Sequence, residues 1–380
     1  MCWCRGLLVA WIIVTARVVH ADGDLPDDNA IQIHGFVSQG GLLTTANNYL
    51  ANTEHGSLEF TEVGLNFTKP IDDRLSVGAQ LFARDLGPDG NYSAKFDWLQ
   101  IDYHWKDWLG IRAGRVKVPF GFYNDTADID AAQPVALLPQ SIYPETDRNF
   151  LLAQTGVELY GYRPLGAAGA VDYRVYTGSL YLTIPDANGV HFSNIEVPWL
   201  IGGRVMWETP IDGLRAGFSS LAGEIDADYA FTAMPQLTGM TVQLVQDNYM
   251  GSLEYASDGF LFQAEYLWSH AHETTSAGVV WVRAEGMYGL ASYHVRPWLQ
   301  TTLYYSLLYP NLRDTSGPDH HQHDAAASVR FDINAHWILK LEAHYLRGTA
   351  AIDSSLNEGV AREDLANQWA LFAAKTTVYF

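Results

Sequence analysis

Charge is the chemistry this sequence offers most densely. The stretch "GIRAGRVKVPFGFYNDTADID" (110–130) sets Arg112, Arg115 and Lys117 a few residues ahead of Asp125, Asp128 and Asp130, and Glu145 and Asp147 follow further along. Elsewhere Arg84, Arg174, Arg204, Arg215, Arg283 and Arg330 each fall in an alternating segment, on the side opposite its apolar row. Rows of opposite charge facing one another across a narrow aqueous gap would orient dipolar solutes and filter ions. The same arginines could instead pair with Asp102, Asp172, Glu265, Glu285 and Asp332 and brace the wall that carries them. Both arrangements remain open from the sequence.

Other constellations are weaker. His320, His321, His323 and Asp324 in "DHHQHD" (319–324) are donor types suited to zinc or copper. They fall in a polar stretch between alternating segments, which reads as a solvated turn. Asp125, Asp128 and Asp130 lack the regular spacing and the glycine of a calcium loop. No spacing of Ser, His and Asp marks a nucleophile with its base. Neither a metal, a cofactor nor a catalytic residue is expected, and the chain is read as a non-enzyme.

The charges sit on segments with a period of two. "RLSVGAQLFARD" puts Leu75, Val77, Ala79 and Leu81 on one face and Ser76, Gly78, Gln80 and Arg84 on the other. "DWLQIDYHW", "AVDYRVYTG" and "DAAASVRFDINA" repeat the pattern, each apolar on one side and polar or charged on the other. Short Pro, Gly, Asn and Asp turns separate some pairs, at 69–73, 106–107, 163–169, 209–212, 257–258, 296–297 and 334–335. Longer polar stretches join the opposite ends, at about 44–56, 86–94, 118–153, 182–197, 224–239, 271–278, 310–323 and 349–366. Short and long connections that alternate between about sixteen strands predict a transmembrane antiparallel β-barrel, with short periplasmic turns, long external loops and both termini on the periplasmic side. Trp98, Trp105, Trp108, Trp207, Trp268, Trp281, Trp298, Trp337 and Trp369 cluster near strand ends, where an interfacial girdle belongs. The long third loop, 118–153, is expected to fold back and constrict the lumen. Near Glu62 the apolar row changes sides, which either a bulge or a misplaced strand boundary would explain.

The bulk properties agree. "MCWCRGLLVAWIIVTARVVHA" has an early Arg5, a short apolar centre and a small-x-Ala site, so 1–21 reads as a secretory signal peptide and 22–380 as one barrel domain. Both cysteines lie within that segment, which leaves the exported part without a disulfide. The formal net charge of −20 excludes nucleic acid as a partner. An exported barrel belongs in the outer membrane, where its partners are ions, small hydrophilic solutes and the surrounding lipid.

Two stretches carry a resemblance. "GIRAGRVKVPFGFY" after a strand–turn–strand, together with the closing "TTVYF", is similar to the porins of Gram-negative outer membranes, and especially to the branch that includes the phosphate-selective porins. That branch carries R-x-G-x-x-K-x-P-F-G on its fifth strand, which corresponds to Arg112, Gly114, Lys117, Pro119, Phe120 and Gly121. The remaining loops hold no Lys-rich cluster, so the resemblance implies a general diffusion porin before a phosphate-selective one. Sugar or anion selectivity, an outer-membrane barrel enzyme and an adhesin are the alternatives. The resemblance also implies a homotrimer in contact with lipopolysaccharide. It further implies a terminal aromatic strand, with Phe380 and Val378, that the barrel-assembly machinery recognises. In this reading Lys375 and Tyr379 face the lumen and Phe372, Val378 and Phe380 face lipid, and the last strand closes on the first.

Overall fold

The computed structural model of this chain describes residues 30–182, 190–231 and 239–380; the expected signal peptide 1–21 lies outside the described residues, as do 183–189 and 232–238. Sixteen antiparallel strands close on themselves. The first eight are β1 (Gln32–Thr44), β2 (Phe60–Pro70), β3 (Leu75–Leu86), β4 (Lys95–Lys106), β5 (Leu109–Lys117), β6 (Ala153–Pro164), β7 (Ala170–Ser179) and β8 (Val190–Glu208). The rest are β9 (Leu214–Phe231), β10 (Met240–Ser257), β11 (Phe260–Thr275), β12 (Gly278–Arg296), β13 (Leu299–Tyr309), β14 (Gln322–Asn334), β15 (Trp337–Gly348) and β16 (Gln368–Tyr379). Each strand pairs with its neighbours in sequence, and β16 returns to β1 with Phe36 opposite Tyr379. Gly35 and Phe380 exchange both backbone hydrogen bonds at 3.0 Å, so pairing at the seam runs to the last residue. Closure leaves neither terminal strand with a free edge.

The two ends of the barrel differ as alternation predicts. Connections at one end are short: 71–74, 107–108, 165–169, 209–213, 258–259, 297–298 and 335–336. At the other end 45–59, 87–94, 118–152, 310–321 and 349–367 are long. Three predicted loops shrink. β11 and β12 are joined through 276–277 alone, and β8 and β9 extend well into the stretches read as loops. β8 to β12 run 16 to 19 residues and project beyond the others at the long-loop end. Their outward faces there carry charges such as Glu224, Asp228 and Arg283, so the unbroken apolar row that marks a lipid-facing strand is missing from the sequence.

Elsewhere the outward row is apolar, with Leu99, Ile101, Val175, Leu253 and Leu303 exposed. So wide an apolar belt is what a lipid-embedded wall requires. Trp105, Trp108, Trp207, Trp268, Trp298 and Trp337 lie exposed on this surface, and Trp281 is exposed further out, on the extension of β12. Trp369 and Trp98 do not join them. Trp369 is buried edge-on against Tyr49 inside the barrel, and Trp98 packs over Gly78 on the inward side. No bulge lies near Glu62, since β2 keeps unbroken register with β1 and β3. Instead Phe60 is an apolar residue on the inward row, buried under the Lys375 ammonium. A real bulge lies in β4, where register shifts against β3 and leaves Asp97 extra. On β16, Lys375 and Thr377 are buried inside while Phe372, Val378 and Phe380 are exposed outside. The core of the molecule therefore lies inside the barrel.

Candidate functional site

The long loop 118–152 enters the lumen immediately after β5, and two glycines of the sequence motif make this possible. Gly114 has φ +124°, and a Cβ there would sit 2.3 Å from the Leu99 carbonyl oxygen. Gly121 has φ +62° and lies against the Tyr143 hydroxyl, Glu265 and Met250, with no room for a side chain. Only glycine adopts such backbone at low cost in these surroundings. At Gly121 the chain is gripped from the wall: its N–H donates to Ser219 Oγ at 3.1 Å and its carbonyl accepts from Arg204 at 2.9 Å. The next residue, Phe122, donates its N–H to Glu265 at 3.0 Å.

From there every described acid of the loop meets a cation. Asp125 accepts from Arg174 at 3.0 Å and from Arg204 at 3.1 Å. Asp128 accepts from Lys117 at 2.6 Å and from Gln80 at 2.5 Å. Asp130 takes the Lys340 ammonium at 2.8 Å, the Thr377 hydroxyl at 2.8 Å and, more distantly, Lys375 at 3.5 Å. Glu145 accepts from Arg84 at 3.1 Å. Arg84 also bonds the Glu145 carbonyl at 2.7 Å. The loop's own Arg148 reaches back to Asp97 at 2.8 Å. Burial alone would raise the Asp130 carboxyl, yet the Lys340 and Lys375 ammoniums and two hydrogen bonds hold it far below the carboxylate range. At Asp128 burial is likewise outweighed, by the Lys117 and Arg148 charges and the hydrogen bonds from Lys117 and Gln80. Acidic loop and basic wall are thus in contact, and the open gap between them is not what this part of the lumen contains.

A second set of anchors holds the loop by its backbone and hydroxyl groups. Glu342 of β15 accepts the N–H groups of Ala136 at 2.7 Å and Leu137 at 3.2 Å. Glu265 of β11 accepts the hydroxyls of Tyr143, Tyr288 (2.9 Å) and Ser252 (2.6 Å). Arg330 donates to the Ala131 carbonyl at 2.6 Å and the Gln133 carbonyl at 3.2 Å. Ser141 donates to the Met287 carbonyl at 3.1 Å. A fully buried imidazole, His344, lies between Asp324 at 3.0 Å and Glu342 at 2.9 Å. The loop is therefore tied to strands around most of the barrel, and its apolar residues Val135, Leu137 and Leu138 are packed out of solvent.

The remaining sequence candidates divide as follows. Arg112 bridges Asp102 at 2.8 Å and Glu158 at 2.9 Å, a wall brace whose Arg112 and Asp102 side chains stay about a fifth exposed, 21% and 19%. Arg330 pairs with Asp332 at 2.8 Å in the same manner. Strict alternation turns Arg115 towards lipid; its Nε instead donates to the Asp97 carbonyl at 2.8 Å, a group the bulge in β4 makes available. Lys117, the last residue of β5, turns inward to Asp128. Arg283 and Glu285 do not face the lumen. On β12 the inward row is Ser292, Leu290, Tyr288 and Gly286, so 283 and 285 fall outside, in the extension beyond the lipid where charge meets water. The "DHHQHD" cluster is split by the same alternation: His323 meets Tyr305, while Asp324 is buried against His344. Lys340, Glu342 and His344 were legible in "ILKLEAHYL" as one polar row of β15, but nothing in that segment says what they hold.

No protein-family model and no curated protein sequence matches this chain. Solved structures do match its fold. An anion-selective porin from Comamonas acidovorans superposes with a TM-score of 0.60 at 14% identity, over 92% of this chain and 99% of that one. The outer membrane channel DcaP of Acinetobacter baumannii gives 0.56 at 12% identity, over 92% and 97%. A trimer form of OmpT, an outer membrane protein of Vibrio cholerae, gives 0.53 at 9% identity, over 92% and 99%.

Proposed function

We propose that this protein is a porin-type channel of a bacterial outer membrane, through which ions and small hydrophilic solutes diffuse down their gradients. The observation that carries the reading is the loop 118–152 held inside a closed sixteen-strand barrel by partners around the wall. A barrel of this strand number is too wide for its own inward side chains to fill, so an inserted loop sets the aperture. The fold shared with a porin and an outer membrane channel supports the same reading.

Within it the charged residues take two roles. Arg112, Asp102 and Arg174 keep about a fifth of their side chains exposed and line the water path. Arg84, Arg115, Lys117, Arg204, Asp125, Asp128 and Asp130 fix the loop and its approach. The motif cations Arg112 and Lys117 are each neutralised by a carboxylate, which favours general diffusion over phosphate selectivity. Residues 1–21 serve as the export signal and 22–380 as the barrel, with short turns in the periplasm and the long loops outside. Phe380 and Val378 present the terminal strand to the assembly machinery, and the barrel works as a trimer surrounded by lipopolysaccharide.

Purified, folded protein in planar bilayers tests the channel. Stepwise conductance is expected, and its absence at protein densities that give visible barrels eliminates the reading. The reversal potential in a salt gradient then separates anion from cation preference.

A further inference from the structure

The lumen on the long-loop side of loop 118–152 holds a chamber of about 560 Å³. Its floor is the loop, with Phe120, Ile142 and Leu151; its wall is the inward row of β8 to β11, with Leu200, Leu221, Ile225 and Leu267. An aqueous vestibule in a membrane barrel is lined by polar residues, because inward and outward rows alternate in polarity. Here the polarity is reversed. Lower on β9, Phe218 is exposed outside and Ser219 is fully buried inside, as a lipid-facing strand requires. Higher on the same strand Glu224 and Asp228 are on the outside: Glu224 accepts the Trp199 indole at 2.8 Å and Asp228 the Asn194 amide at 2.7 Å. Leu221 and Ile225 are on the inside. The β9–β10 register is unbroken from Leu214 to Tyr229, so no slip produces the reversal. The sequence itself changes which face is apolar.

We infer that this chamber binds a small, uncharged, largely apolar molecule with one hydrogen-bonding end, as the first station on the solute path. A volume of a few hundred Å³ with apolar walls and few polar groups is the usual form of a small-molecule site. The polar groups present are neutral: on the wall, Gln246 donates to Asn248 at 3.0 Å and to Ser269 at 3.1 Å, a cluster suited to a hydroxyl or carbonyl. Among the described lining residues the only side chains charged at neutral pH are Glu224, turned outward as above, and Asp353, which accepts the Ser355 N–H at 2.8 Å. No Lys or Arg is among those lining residues, so an anion would lose its hydration without gaining a counter-charge. The inference adds an apolar solute to the hydrophilic ones of the channel reading and rests on that reading for the direction of travel, though not for binding.

1-Naphthol is the probe, with 1-naphthoate and glucose as the charged and the polar control. Full-length mature protein in lipid nanodiscs is expected to bind one 1-naphthol per chain, saturably and above empty nanodiscs, with both controls at least about tenfold weaker. Ile225→Gln with Leu267→Gln, two half-buried positions on the chamber wall, is expected to weaken naphthol at least about tenfold, since one lost apolar contact is worth roughly that factor. Equal binding of naphthol and naphthoate by the wild type overturns the inference whether or not the variant folds, as does unchanged affinity in a folded variant. Ion current recorded in parallel separates the two claims. Conductance without naphthol binding sinks the chamber alone, and naphthol binding without conductance sinks the channel alone.

Discussion

The two regions of the lumen that meet at loop 118–152 are built by opposite means. Around the loop the wall is charged, and the chamber beyond it is apolar. In the charged waist, Asp128 and Asp130 are almost wholly buried and each has a wall ammonium within 2.8 Å. In the chamber, Leu221 and Leu267 face a cavity with no charged partner to satisfy. Pairing buried charges gains little over a well-packed apolar contact, but removing one partner leaves the other stranded. The waist is thus intolerant of single changes in a way the chamber is not. Such an arrangement fixes the loop in one position while leaving the space above it able to accept a ligand.

The sharpest way to break this comparison is at Lys340. Lys340→Met strands Asp130, leaving it the Thr377 hydroxyl at 2.8 Å and, as compensating charge, Lys375 at 3.5 Å. It should cost about 3–5 kcal/mol against unfolding, while adding Asp130→Asn should recover most of the loss. Denaturation of the two variants in detergent measures both, and a Lys340→Met barrel as stable as wild type would remove the case for a welded waist. Deleting Phe380 touches neither region. Yield of folded barrel should fall several-fold while the conductance of what inserts is unchanged; equal yields would count against the role of the terminal strand in assembly.

Acid comes next. The carboxyls of Asp128 and Asp130 lie below their ordinary range in the folded protein, so their contribution is complete above the unfolded value of about 3.9 and is lost as pH falls towards the folded one. The share of the loop's protection from proteolysis that these two carboxylates supply should therefore persist as pH falls to about 5 and decline only below about 4. A decline centred near pH 6 would place the control elsewhere. Arg174→Gln should cost about 1 kcal/mol or less, because Arg204 still holds Asp125 and Arg174 is itself partly exposed. Its readout is a reversal potential displaced towards cations. The smallest effect belongs to the chamber: Ile225→Asn, half-buried with no polar partner to strand, should stay below about 1 kcal/mol in the same denaturation assay.

How much of this was legible differs between the two faces of the wall. The outward row is written in the sequence because lipid imposes one rule on every residue it touches, and a period of two is enough to read it. That rule also exposes its own limit on β8 to β12, where the strands leave the lipid, the outward face turns polar and the sequence reads as loop. Arg283 and Glu285 were assigned inward for the same reason. Within the lipid, charge marks the lumen; beyond it, charge marks the outside. At Arg115 the difficulty was visible as a conflict of parity, and the bulge that answers it lies one strand away at Asp97.

By itself, then, the sequence determined a closed barrel of about sixteen strands, its short and long ends, its seam at Phe380 and the loop that enters it. Those features depend on local period, turn chemistry and the cost of a charge in lipid, all of which act over a few neighbouring residues. Only the tertiary structure decided that Asp130 meets Lys340, 210 residues away, that Glu342 receives the loop's backbone, and that the outer chamber is apolar. Inside the barrel any inward residue at a given height can face any other across the lumen. Which of them meet is set by the path of one loop through a shared space, and no periodicity along the chain encodes that path.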